Sequence, residues 1–78
     1  MTPRYAKFKA VIKERPEGGW RISWSDGQKD EDHPTAIEAQ QAVKARSEAL
    51  ASTGLNNMFV IEWQSATKVG RLVVSAIT

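Results

Sequence analysis

Polar and apolar residues alternate from Tyr5 to Glu14. Ala6, Phe8, Ala10 and Ile12 fall on one face, and Tyr5, Lys7, Lys9, Val11 and Lys13 on the other. A period of two predicts a half-exposed strand with one apolar and one basic face. "RPEGG" follows, with Pro16 presetting its own backbone and Gly18 and Gly19 free to take positive φ, so a turn is predicted there. "WRISW" alternates again, with Trp20, Ile22 and Trp24 opposite Arg21 and Ser23. Two alternating runs across a short glycine-rich link predict a hairpin. "SDG" then makes a second turn. "QKDED" can extend into a short polar edge strand, but it has no apolar face to bury.

The period changes at Thr35. Thr35-Ala36-Ile37-Glu38 fits a capping box, in which Thr35 accepts from an early helical amide and Glu38 reaches back to the Thr35 amide. Good helix formers run from Ala36 to Ser52. Ala39, Ala42, Val43, Arg46, Ala49 and Leu50 form the predicted buried stripe, with Arg46 as its one interruption. Gly54 suits the position just past the helix end, with Leu55 folding back on the last turn. The stripe is made of small residues, so the helix is expected to lie close to its sheet, with the tryptophans supplying the missing volume.

Alternation then returns. "MFVIEWQ" puts Phe59, Ile61 and Trp63 on one face. "RLVVSAI" puts Leu72, Val74 and Ala76 opposite Arg71, Val73 and Ser75. The fold class expected is α+β: a single β-β-α-β-β domain over residues 1–78, with a four-stranded, mainly antiparallel sheet and one helix packed on one face. Strand order stays open. The helix can also act as a crossover that makes one pair of strands parallel.

Composition narrows the functional classes more than it names one. A chain of 78 residues holds one domain with a thin margin of stability. No cysteine is present, which removes disulfides, thiolate zinc sites and a cysteine nucleophile. No run approaches the roughly 18 apolar residues of a membrane span, and no apolar segment follows the basic N-terminus as in a signal peptide. A cytoplasmic protein away from membranes is expected. The net charge is only +2, but it is unevenly spread. Residues 1–21 carry Arg4, Lys7, Lys9, Lys13, Arg15 and Arg21 against Glu14 and Glu17; residues 25–38 carry Lys29 against Asp26, Asp30, Glu31, Asp32 and Glu38.

The acidic stretch "SDGQKDEDHPT" invites a metal or catalytic reading. Its acids do not follow the spacing of a calcium loop, and His33 is the only histidine, so neither metal nor cofactor is expected. Acids before a helix favour its positive end, which accounts for most of the cluster. Asp30, Glu31 and Asp32 remain as an exposed ridge able to dock on a basic surface. The serines have no histidine at useful spacing, and nothing near the carboxylates would raise a pKa, so no catalytic residue and no enzyme are expected.

The basic face is the other candidate. Lys7, Lys9 and Lys13, with Tyr5 and Val11 among them and Arg21 on the paired strand, form a surface that can meet phosphate backbone or an acidic protein. The plain alternative is a solvated face on an edge strand blunted by lysines. Because the tryptophans alternate to the other side, a stacking platform for single strands is weak. Val11, Val60 and Val73 are expected on the open sheet face. A bare face or edge suits a protein partner or a homodimer, and a monomer is equally compatible.

Two resemblances bear on function. "GGWRISW", the alanine-rich helix "TAIEAQQAVKARSEALASTG" and the hairpin "MFVIEWQSATKVGRLVV" together resemble the plan of small phage and prophage proteins, among them several type I anti-CRISPR proteins. That likeness implies a non-catalytic inhibitor, which occupies a surface of a host protein or nucleoprotein complex. Trp20, Trp24, Gly27, Thr35, Glu38 and Ala39 are similar in rhythm to the arm-type DNA-binding domain of tyrosine integrases. That likeness implies nucleic-acid binding, but "QKDEDH" is acidic where that domain is basic and aromatic. The residues expected to meet a partner are Lys7, Lys9, Lys13, Arg21, Asp30, Glu31 and Asp32.

Overall fold

The computed structural model describes residues 5–77; Arg4, counted in the basic start, lies outside them. The elements are β1 (Tyr5–Glu14), β2 (Trp20–Trp24), β3 (Glu31–His33), α1 (Ala36–Ser52), β4 (Asn56–Gln64) and β5 (Val69–Ala76). They form one five-stranded sheet in the order β3-β2-β1-β4-β5.

The class is α+β with a single helix, as expected, but the sheet differs in two ways. It has a fifth strand, because Glu31–His33 pairs with Trp20–Ile22. It is also mixed: β1 and β4 run parallel along its centre, from Tyr5 opposite Asn56 to Lys13 opposite Gln64, and the other neighbours are antiparallel. The crossover explains the parallel pair. The chain leaves β3, passes through α1 and returns in the same direction as β4, with β2 and β1 between the two strands. A helical connection of this length permits parallel strands, which a tight turn does not. β1 is therefore central, and its lysines do not blunt an edge.

Both predicted turns have the expected chemistry. In the first, Arg15 N–H donates to Gly19 O at 2.9 Å and Gly18 N–H to Arg15 O at 3.0 Å, with φ of 102° at Gly18 and 83° at Gly19. The helix begins with Thr35 Oγ1 accepting from Glu38 N–H at 3.1 Å. It ends in a Schellman arrangement: Gly54 N–H donates to Ala51 O at 2.9 Å and Leu55 N–H to Leu50 O at 3.2 Å. Gly54 sits at φ 94°, where a side chain would be strained.

The core lies between α1 and one face of the sheet. Ala10, Ile12, Ile22, Trp24, Ala39, Val43, Phe59, Ile61 and Trp63 are buried together. Phe59 meets the Trp24 ring edge-on at 5.6 Å, and Trp20 meets Trp63 in the same way at 5.6 Å. The buried helical stripe is Ala39, Val43, Ser47 and Ala51, one residue per turn. Ala49, expected in it, is exposed. Ser47 takes the place because it answers a second buried polar residue. Its Oγ donates to Asn57 Oδ1 at 2.5 Å, and Asn57 Nδ2 donates to Ser47 O at 2.9 Å and Leu55 O at 3.0 Å.

Candidate functional site

With α1 covering one face, the other carries Tyr5, Lys7, Lys9, Val11 and Lys13 of β1, flanked by odd-numbered residues of β2 and β5 and even-numbered residues of β3 and β4. The register sorts them into cross-strand rows. Asp32, Arg21, Lys13, Gln64 and Val69 form the first, and Ser23, Val11, Glu62 and Arg71 the second. Lys9, Val60 and Val73 form the third, and Lys7, Met58 and Ser75 the fourth. The centre of this face carries an apolar patch of Met58, Val60 and Val73, with the Lys9–Glu62 pair between that patch and Val11. Lys7, Lys13, Arg21 and Arg71 lie around this centre.

The four predicted cations do share this face, but two of them are already paired. Lys9 Nζ lies 2.6 Å from Glu62 Oε2. Arg21 grips Asp32 with both arms of its guanidinium, Nε to Oδ1 at 2.8 Å and Nη2 to Oδ2 at 3.1 Å. Arg15 approaches the same carboxylate at 3.5 Å. The Arg21 hydrogen bond holds Asp32 below the ordinary aspartate range, with help from Arg15, and the same bond raises Arg21. Hydrogen bonding from Lys9, then from Gln64, lowers Glu62. Among the described residues, Lys7 and Lys13 have no carboxylate partner.

The acidic ridge is divided by the pleat of β3. Asp32 joins the basic face opposite Arg21. Glu31 and His33 turn to the helix side, where His33 Nε2 lies 3.3 Å from Glu31 Oε1. Asp30 precedes the strand and is exposed, close enough to add to the raised Arg21. The two sequence-predicted surfaces are therefore one surface at Arg21 and Asp32, and separate elsewhere. Among the described residues, no three carboxylate or imidazole groups gather at one point, and no enclosed pocket is formed. Among the described residues, no helix is long and apolar enough to cross a membrane.

A further charged pair links the loop after β2 to the helix. Arg46 clasps Asp26 with both guanidinium nitrogens, one of them at 3.0 Å. Its guanidinium also lies over the Trp24 ring, 4.6 Å from the centroid, and 5.7 Å from that of Phe59. The Arg46 hydrogen bonds lower the Asp26 pKa against the opposing effect of burial. This explains the cation within the predicted apolar stripe: Arg46 caps the aromatic core and ties down the acidic loop. The pair holds the loop and stands apart from the open face.

Arg71 and Met58 join the candidate surface without having been singled out in the sequence. Alternation along β4 and β5 placed them on the correct side of their own strands. It did not show that β4 lies against the lysine strand, and that pairing brings Met58 beside Lys7. Neither a protein-family model, nor a curated protein, nor a solved structure matches this chain.

Proposed function

We propose that this is a non-catalytic protein-binding domain that docks through its open sheet face onto an acidic-rimmed surface of a larger assembly. The observation that carries this reading is the apolar patch of Met58, Val60 and Val73, which lies beside the Lys9–Glu62 pair and Val11 and is flanked by Lys7, Lys13, Arg21 and Arg71. An apolar centre with a charged rim is the usual anatomy of a protein interface. The centre supplies desolvated contact area, and the rim steers encounter and rejects partners of like charge. The plan-level likeness to anti-CRISPR proteins gives this docking a purpose, which is inhibition of a host nucleoprotein complex in the cytoplasm by occupation of its surface.

A nucleic-acid partner draws on the same cations. Five cations against Asp32 and Glu62 leave the face positive, and Lys7 and Lys13 are available for phosphate. Stacking is the weaker part of this alternative, since Trp20, Trp24 and Trp63 all turn toward the helix and leave Tyr5 as the aromatic on the open side.

The two readings separate in one set of assays. Purified protein added to a type I CRISPR surveillance complex should lower its binding to target DNA. Val60→Glu, which places a charge in the apolar centre, should abolish the effect, and Lys7→Glu with Lys13→Glu should weaken it. Direct binding of the protein to free duplex or single strand, weakening with salt by a log–log slope of about 0.7 to 0.9 per phosphate contact, would replace the inhibitor reading with the nucleic-acid one. An unchanged complex with no nucleic-acid binding would reject both.

A further inference from the structure

The two edges of the sheet are built differently. β3 is three residues long and carries Glu31, Asp32 and His33, with Asp30 just before it. A short, charged edge discourages further pairing. β5 is eight residues long, and Arg71 is its one charged residue. Its large apolar side chains are unusually open: Val69 is 80% exposed, Val73 55% and Leu72 38%, with Ile77 just beyond at 72%. A long apolar edge presents a row of backbone donors and acceptors to any strand of matching pattern.

The pattern of β5 matches itself. We infer that a second copy of this chain adds to the β5 edge, β5 against β5 and antiparallel, about a two-fold axis at Val73. In that register Val73 faces its own copy, Val69 faces Ile77, Arg71 faces Ser75, Leu72 faces Val74 and Gly70 faces Ala76. Odd residues meet odd and even meet even, so the helix-covered faces of both copies fall on one side and the open faces on the other. Each exposed apolar residue of the open side is placed against another, and no cation meets a cation. Neighbouring registers lose this. A centre at Leu72 sets Val69 against Ser75 and Arg71 against Val73, and a centre at Arg71 sets the two arginines head-on, which is destabilising. The interface is isologous, as a two-fold dimer requires. It joins the two open faces into one continuous surface and does not depend on what that surface binds.

Sedimentation equilibrium on the full chain, over about 10 µM to 1 mM, tests the assembly. The mass should rise with concentration toward twice 8.7 kDa. Val73→Lys, which sets two like charges opposite each other, should hold it at the monomer value with an unchanged circular dichroism spectrum. The register is tested separately. The chain has no cysteine, so introduced thiols are unique. Directly opposed antiparallel residues have Cα atoms about 4.5 to 5.5 Å apart, within disulfide range. Val73→Cys should therefore oxidise to a covalent dimer. Val69→Cys and Ile77→Cys should each form no crosslink alone and crosslink when mixed. A monomer throughout the concentration range overturns the proposal. So does a dimer in which Val73→Cys forms no crosslink, and that outcome stands even if Val73→Lys fails to fold.

Discussion

Ser47 and Asn57 are the only fully buried polar side chains among the described residues, and they are buried against each other. A buried polar atom is stabilising only while its partner is present, because removing one member leaves the other desolvated and unsatisfied. Ser47→Ala removes the donor to Asn57 Oδ1 and leaves that oxygen in the core. The expected loss is about 1–3 kcal/mol in urea denaturation. Asn57→Ala should cost at least as much, because it also frees two backbone carbonyls and opens a cavity. The double variant should fall short of the sum of the singles by more than about 0.5 kcal/mol. Strict additivity would mean that the two residues do not act as a pair. Neither was legible in the sequence: each is a polar residue on an otherwise apolar face, and only tertiary contact supplies the compensation. Arg46 was legible only as an anomaly. Its place over Trp24 and beside Asp26 depends on how the loop after β2 approaches the helix.

At the scale of elements, local chemistry was the reliable guide. Alternation assigned β1, β2, β4 and β5 their two faces, and the caps set the ends of α1, because these signals act over a few residues. The capping box forms only in half: Thr35 accepts from Glu38 N–H, but among the described residues no bond returns from the Glu38 side chain. Thr35→Ala should therefore cost about 1 kcal/mol, the usual worth of a single cap. Thr35→Ser should recover most of it, and Glu38→Ala should change thermal stability little. A large loss in Glu38→Ala would show that the reciprocal bond matters. What the elements could not reveal was their order. Parallel pairing of β1 with β4 joins residues about fifty positions apart, and no turn between them encodes it. β3 was foreseeable as a polar extension, but its role in turning Asp32 toward Arg21 follows from a register that a three-residue strand does not announce. The candidate site suffered in the same way: β1 supplied its lysines, but β4 supplied Glu62 to neutralise Lys9 and, with Val73 of β5, the apolar residues Met58 and Val60.

For the whole molecule, carboxylates hold together regions that carry many cations. Asp26 ties the loop after β2 to α1, Asp32 ties β3 to Arg21 and Arg15, and Glu62 joins β4 to Lys9. All three titrate below their ordinary values, chiefly through hydrogen bonds from these cations. A carboxylate lowered in the folded state binds fewer protons there than in the unfolded chain. Its contribution is complete above the unfolded value and is lost as the pH falls through the lower folded one. Stability should thus stay level from neutral pH to about pH 5 and decline below about pH 4. The decline is reinforced because protonated carboxylates leave eleven Lys and Arg residues and His33 to repel one another. Asp26→Asn keeps the shape and removes the charge. It should be less stable than wild type at pH 7, and the two urea midpoints should converge as the pH approaches 2. Tryptophan fluorescence suits this measurement, since Trp24 lies under the Arg46 guanidinium. Parallel curves for the two proteins down to pH 2 would mean that the Asp26–Arg46 pair gives the fold no pH-dependent support.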